Sequence, residues 1–372
     1  RLYNKTAVAA EKARRPCRLL LSTYLIGGLF AAVLRHTPVC PPHSEITALP
    51  QNTPEMAPPT RWGIVSAGRV CNDFVAVLNT MPREDHVVVA VAGRGFENAK
   101  KFAALHSIPK VYSSYEELAR DPDVEVAYIG SLHPDHRDSI KLMLEHGKHV
   151  LCEKPLTMNA KQTEEVIRLA AEKRLFLMEG VWSRFLPMYK ELHRELESGS
   201  IGDPLYIHVT AGYDMRHLVR VFQKSLGGSV MLTLGIYCLN LITRVFDEDV
   251  PCKVVAVGDV VEGEGVDQAC AVSMEFSNGR LANFASSSVL KLPTTAEIVG
   301  TKGTIKASPH MFAYQILTSL GFPFWCPTEM ETPGGKRTAS FPTLPVPSYY
   351  VNISGLRYEA DEVRRCILAG EA

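Results

Sequence analysis

At 372 residues, 46% hydrophobic and 22% charged, the chain can fill more than one hydrophobic core and does not have the composition of a disordered polymer. Forty basic and forty acidic side chains balance, and no basic run is interleaved with aromatics, so a nucleic-acid partner has no electrostatic footprint here. Nine cysteines are scattered without a CxxC pair or metal-like Cys/His spacing, which argues against a disulfide framework and a metal centre and for a reducing, cytoplasmic compartment.

The first sixty residues read as an extension outside the fold. Arg14-Arg15-Pro16 before the apolar run 19–34 has the order of a signal peptide or anchor, although the run is short of the roughly 20 residues a membrane span needs. Met56 leads directly into the first predicted strand, which favours it as a natural start and no membrane partner.

From Trp62 onward, short β-branched runs alternate with helical spacing. Residues 62–66, 87–92, 126–129, 149–152 and 176–179 predict strands buried on both faces, and 97–106, 114–120, 136–146 and 159–174 predict helices, with Ser114 and Asn159 as N-caps. This is the alternation of a doubly wound parallel sheet, a Rossmann-type domain over residues 61–185. After Ser198 the pattern turns strand-rich, at 205–213, 253–261, 268–276, 280–289, 296–299 and 303–306, with one helix at 228–246. Residues 186–372 therefore predict an α+β domain on a large, mainly antiparallel sheet. Asn278-Gly279 predicts a type I′ hairpin turn, the stretch 333–347 a surface loop, and 358–369 a final helix.

The first strand ends in Ser66-Ala67-Gly68-Arg69-Val70-Cys71, so only the middle glycine of a GxGxxG phosphate turn is present. That glycine lets backbone approach a pyrophosphate at a helix N-terminus, but a glycine after a strand is also simply a turn. After the second strand, where an acidic residue binds the ribose of NAD, stands Arg94 with no Asp or Glu beside it in sequence. Its planar fork suits a 2′-phosphate and favours NADP, against the plainer reading of a solvated surface arginine.

Three more clusters fall at carboxyl ends of predicted strands, where ligands of such sheets bind: Gly130-Ser131-Leu132-His133-Pro134, Cys152-Glu153-Lys154-Pro155 and Glu179 to Pro187 with Trp182 and Arg184. Alone, a Glu-Lys pair is usually solvated and a lone histidine structural.

Together, Gly63 to Gly68, His133-Pro134, Glu153-Lys154-Pro155 and Gly235-Ile-Tyr237 resemble the Gfo/Idh/MocA oxidoreductase family, from Arg61 to about Gly370. Val126-Ala-Tyr-Ile-Gly130, Val150 to Pro155, Gly235-Ile-Tyr-Cys238 and Trp325-Cys-Pro-Thr-Glu329 narrow the likeness to homodimeric members acting on trans-dihydrodiols and aldoses such as D-xylose. The resemblance implies hydride transfer between NADP and a secondary alcohol or hemiacetal carbon. It assigns the proton step to Lys154 and Tyr237, with Tyr237 as general base. Ser66, Gly68, Arg69, Val70, Arg94, Ser131, His133, Glu153, Lys154, Trp182 and Arg184 fall to the cofactor, and His217, Arg220 and Thr233 to the substrate. Without the family likeness Tyr237 reads as a core tyrosine of an amphipathic helix.

Two features depart from the family pattern. Thr233 stands where members usually carry an aspartate, four residues before the catalytic position, so a hydroxyl replaces a charge. Members also continue beyond the last helix with a further strand and helix, which predicts a truncated second domain and a weakened dimer. A catalytically impaired NADP-binding relative is the competing reading.

Overall fold

Strands with apolar residues on both faces must be covered on both sides, and the first half of the chain is built that way. The computed structural model describes residues 57–307, 327–344, 347–350 and 352–371; the apolar run 19–34, Met56 and Trp325-Cys326 lie outside the described residues. Six strands, β1 (Thr60–Val65), β2 (His86–Ala92), β3 (Lys110–Tyr112), β4 (Val126–Ile129), β5 (His149–Glu153) and β6 (Leu177–Gly180), form an all-parallel sheet ordered β3-β2-β1-β4-β5-β6. The connecting helices are α1 (Arg69–Leu78), α2 (Phe96–His106), α3 (Tyr115–Arg120), α4 (His136–Glu145) and α5 (Ala160–Lys173).

Side chains alternate between two cores as a pleated strand requires. Trp62, Ile64, Val126, Tyr128 and Leu151 join one cluster with Phe74 of α1, while Val65, Ala127, Ile129, Val150 and Cys152 join the other with Ile140 and Met143 of α4. Both expected caps form: Ser114 accepts from Glu117 N in a full capping box, and Asn159 accepts from Gln162 N. β3 and α1 were not among the predicted elements. β3 is three residues long and only half-buried, too short to show a pattern.

Past β6 a tight turn at Trp182–Phe185 and helix α6 (Pro187–Glu197) lead into a second sheet of eight strands. These are β7 (Pro204–Gly212), β8 (Lys253–Val260), β9 (Asp267–Glu275), β10 (Leu281–Ser287), β11 (Ala296–Gly300), β12 (Thr304–Ala307), β13 (Glu329–Thr332) and β14 (Gly335–Thr338). Their order is β14-β13-β12-β11-β7-β10-β9-β8, antiparallel except for the β7–β10 pair. Asn278 and Gly279 both have positive φ, 59° and 73°, at the β9–β10 hairpin, as a type I′ turn demands. The expected loop at 333–347 is corrected at its start, because Gly335–Thr338 is strand β14, paired with β13 around a Pro333-Gly334 turn.

Ile207, Val209, Val272, Met274, Phe284 and Ile298 point from this sheet onto α6 and the helix that precedes β8. That helix was expected as one unit. It instead starts with a π-helical turn at Met231–Gly235 and continues as α7 (Ile236–Val245). The apolar stretch 224–245 is long enough to cross a membrane by composition, but 83% of its most apolar window is buried in this core. A last helix, α8 (Leu356–Leu368), returns to pack on α1 and the Trp182–Phe185 turn.

Candidate active site

The sheet order reverses between β1 and β4, and the crevice beyond their carboxyl ends is where the site residues collect. The chain leaves β1 through Ser66 at φ 95°, a backbone conformation rarely taken by a residue with a side chain, and enters α1 through Gly68. Gly68 itself has φ −85°, and an added Cβ would meet nothing closer than 3.5 Å. The protein therefore does not need glycine there for its own packing. The bare backbone at the start of a ten-residue helix fits a pyrophosphate approaching from outside.

Cys71 fills the place of the third glycine and is fully buried. Room for its sulfur comes from Gly130 at the end of β4, where an added Cβ would overlap Cys71 Sγ. The two positions compensate each other, so the incomplete glycine motif still allows helix and strand to pack closely.

Arg94 follows β2 with its side chain 67% exposed at the rim of the crevice. The expectation that no carboxylate stands near it is corrected: Asp135, from the turn after β4, places Oδ2 3.2 Å from Arg94 Nη1, a charge contact rather than an aligned hydrogen bond. A half-exposed pair of this kind is weak and leaves the guanidinium available.

His133 lies at the β4 end with Nδ1 3.1 Å from the carbonyl of Gly227, which joins the two halves of the chain. Burial first, then the charge of Lys154, pushes its pKa down to about 3, so the ring is neutral near pH 7. Below it, His136 sits between the carbonyls of Pro155 at 2.8 Å and Ser131 at 3.2 Å, and burial lowers its pKa as well. Ser131 thus serves the site through its backbone, which holds His136.

Lys154 follows directly on β5. Its Nζ donates to the carbonyl of Thr233 at 3.0 Å and stands 4.9 Å from the centre of the Tyr237 ring. A lysine ammonium over an aromatic face is attracted by the ring quadrupole. Burial lowers the Lys154 pKa to about 8, opposed by the negative charge of Glu153. Glu153 accepts from Tyr128 OH at 2.7 Å, and burial raises its own pKa. Glu179 accepts from the Leu156 amide at 2.8 Å. Both carboxylates are held behind the lysine.

Tyr237 opens α7, almost wholly buried, and its hydroxyl accepts from Trp182 Nε1 at 3.2 Å. Thr233, in the π-helical turn one turn earlier, is buried with Oγ1 lacking a hydrogen-bond partner. Such turns are frequent at functional sites because they re-aim side chains and carbonyls. Lys154, Tyr237, Trp182, Thr233 and His133 are therefore brought together.

Other predicted residues sit differently. Arg184 donates to Asn240 Oδ1 of α7 and pairs with Glu248 at 3.2 Å, which turns it into the second half of the chain. His217 is exposed, whereas Arg220 is half-buried and in electrostatic contact with both Lys154 and His133. Arg69 is exposed and Val70 half-buried at the start of α1.

Sequence reasoning missed Gly227, and it named Thr233 for its side chain and not for the carbonyl that accepts from Lys154, because a backbone acceptor has no residue signature. It also missed Asn240, whose amide links Arg184 to Ser183, and Glu359 of α8, a fully buried carboxyl close to Glu153. An acidic residue on an otherwise apolar helix face is the one signal that could have exposed Glu359.

A model of an oxidoreductase family with an NAD-binding Rossmann fold matches residues 60–181, and one of the GFO/IDH/MocA C-terminal domain matches residues 189–306. The chain is 42% identical over 311 residues to trans-1,2-dihydrobenzene-1,2-diol dehydrogenase of Xenopus tropicalis, covering 84% of this chain and 90% of that one. It is 40% identical over 310 residues to the Homo sapiens protein of the same name, covering 83% and 89%. Among solved structures it is similar in fold to a levoglucosan dehydrogenase in complex with NADH and levoglucosan, with TM-score 0.70, 20% identity and coverage of 84% and 90%. A 3-ketoreductase from Actinomadura kijaniata in complex with NADP and TDP-benzene gives TM-score 0.66, 20% identity and coverage of 84% and 91%. With both halves matched in chain order, and relatives at this identity along most of its length, the chain belongs to the Gfo/Idh/MocA family of NAD(P)-binding oxidoreductases.

Proposed function

We propose that the chain is an NADP-dependent dehydrogenase that oxidises the secondary alcohol of a trans-dihydrodiol or the anomeric carbon of an aldose such as D-xylose. The observation that carries this reading is the placement of Lys154 Nζ over the Tyr237 ring, with Trp182 donating to the Tyr237 hydroxyl. A nicotinamide bound in this crevice would supply the hydride acceptor. Tyr237 acts as the phenolate, having released its own proton to solvent beside the Lys154 ammonium, and its Oη takes the alcohol proton, so that one hydride and one proton leave the carbinol and a carbonyl remains. Indole and ammonium stabilise negative charge on that oxygen during the transfer. The oxidoreductase activity comes with the family, and the diol substrate follows the name of the curated relatives.

Cofactor fit rests on Gly68, on the neutral His133 and on Lys154 at the crevice floor, while Arg94 favours the 2′-phosphate of NADP. The test is a steady-state assay with NADP against NAD over diol and aldose substrates. Arg94→Ala is expected to weaken NADP about tenfold, the scale of one lost charge-assisted contact, and to leave NAD unchanged.

A homodimer is part of the proposal. On the outer face of the eight-stranded sheet Val255, Val257 and Leu281 stand exposed among polar residues such as Lys253, Glu275 and Asn283, a mixed surface that could meet a second copy. A reducing, cytoplasmic setting is consistent with Cys71, Cys152, Cys238 and Cys270 being free and buried as core residues.

One observation favours a second reading, an NADP-binding relative without turnover: the unpartnered hydroxyl of Thr233, where the family usually supplies a carboxylate. If Thr233→Asp raises kcat from near zero, the parent is impaired; a parent already active on diols or aldoses removes this reading.

A further inference from the structure

Asp73 is the fifth residue of α1 and fully buried, yet among the described residues no ion pair with a cation engages it. Its carboxylate accepts instead from backbone amides of a distant segment: Tyr349 N at 3.0 Å and 2.9 Å on its two oxygens, and Tyr350 N at 3.0 Å. Asn72 Nδ2 supplies a further bond at 3.1 Å. A buried carboxylate with only amide donors is a costly choice for a helix face unless the segment it holds must be in that place.

The segment held is unusual for a surface. Tyr349 and Tyr350 are 58% and 43% exposed, side by side, with the Arg69 guanidinium 5.5 Å from the Tyr349 ring centre. Arg69 immediately follows Gly68. Tyr350 itself lies within electrostatic range of Arg69 and also of Arg220 and Glu153. It is therefore near both the phosphate turn, through Arg69 next to Gly68, and Lys154, through the adjacent Glu153. Downstream the chain is fixed at Gly355, where an added Cβ would lie 2.8 Å from Trp182 Cζ3. The stretch thus runs from the cofactor helix to the tryptophan that contacts Tyr237.

We propose that Tyr350 is a cofactor-contact residue whose ring packs on the diphosphate and nicotinamide-ribose half of the dinucleotide, beside the Arg69–Tyr349 pair, and that Asp73 is the positioning residue that fixes it there. The inference rests on the nicotinamide-dinucleotide reading of the crevice. It adds a contact from the second half of the chain to a site otherwise built from strand ends of the first. An aromatic contact of this kind changes affinity about two- to tenfold.

The test is titration calorimetry of the full chain with NADP and, separately, with 2′,5′-ADP, which lacks the diphosphate bridge and the nicotinamide ribose. Tyr350→Ala and Asp73→Asn are expected to weaken NADP by about two- to tenfold while leaving 2′,5′-ADP unchanged. Tyr350→Phe, which keeps the ring, is expected to bind NADP like the parent. Unchanged NADP affinity in Tyr350→Ala, or equal weakening of 2′,5′-ADP, overturns the proposal while the cofactor reading stands. A parent chain that binds neither NADP nor NAD overturns both.

Discussion

The indole Nε1 of Trp182 donates to the hydroxyl of Tyr237 across 3.2 Å, so the turn that follows the parallel sheet and the helix beneath the antiparallel sheet meet at that oxygen. Neither side chain is placed by its own element alone. Trp182 is backed by Gly355 at the start of α8, and Tyr237 by the Lys154 ammonium.

Trp182→Phe keeps the ring and removes the donor. A lost hydrogen bond to a buried group is worth about 1–3 kcal/mol, so kcat is expected to fall about tenfold with KM for NADP nearly unchanged. Steady-state kinetics of the purified variant decide it; an unchanged kcat means the indole bond has no part in the chemistry.

Lys154 gives the site a pH signature. Burial brings its pKa down to about 8, so the ammonium is present below that value and lost above it. The kcat/KM profile is expected to fall on the alkaline side near pH 8. The charge of Glu179 raises the lysine pKa, so Glu179→Gln should move this limb to lower pH. A limb that stays in place in the variant assigns it to another group.

Glu359 predicts a pH dependence of stability. It is fully buried, neither carboxyl oxygen has a partner, and burial with the nearby charge of Glu153 raises its pKa well above 4.5. A group whose folded pKa is raised contributes stability below its unfolded value, and that contribution is lost as pH rises toward the folded value. Glu359→Gln abolishes the titration. Its stability relative to the parent should therefore climb by about 1.4 kcal/mol per pH unit above the unfolded value, read from denaturant melts across pH. Parallel pH curves for the two chains would show that Glu359 titrates as an ordinary carboxylate.

Much of the first sheet was legible because β1, β2, β4, β5 and β6 are apolar at successive positions and separated by helical spacing. The second hairpin at β13 and β14 was not, since its residues are mostly polar and Pro333 and Gly334 carry the turn chemistry of a loop; ladder pairing, the single buried Met330 and the Arg337 pairs with Glu191 and Glu195 hold it. At the site, Lys154, His133 and Trp182 could be found because they fall just after strands, and Tyr237 because of the family resemblance. Asp135 beside Arg94 was hidden because the pair comes from different strand connections. Nothing in the sequence marks Asp73 as a partner of Tyr349 and Tyr350, because the contacts span 276 and 277 positions and run to backbone amides.

The compensation between Cys71 and Gly130 yields a double-mutant test. Gly130→Ala drives a methyl into the sulfur and is expected to destabilise by about 1–3 kcal/mol, the usual range for overpacking. Adding Cys71→Gly should recover part of that loss. Additive effects, measured by denaturant unfolding of all four chains, would mean that the two positions do not share one space.

The most direct measurement is the initial rate of NADPH formation by the purified chain with NADP and a trans-dihydrodiol or D-xylose, run beside Tyr237→Phe. The parent is expected to turn over at least one of these substrates, and Tyr237→Phe, which keeps the ring over Lys154 but loses the hydroxyl, to fall by about a hundredfold or more. A parent that forms no NADPH with any diol or aldose, or a Tyr237→Phe variant as fast as the parent, would contradict the assignment of Tyr237 and Lys154 to the proton step of a dehydrogenase.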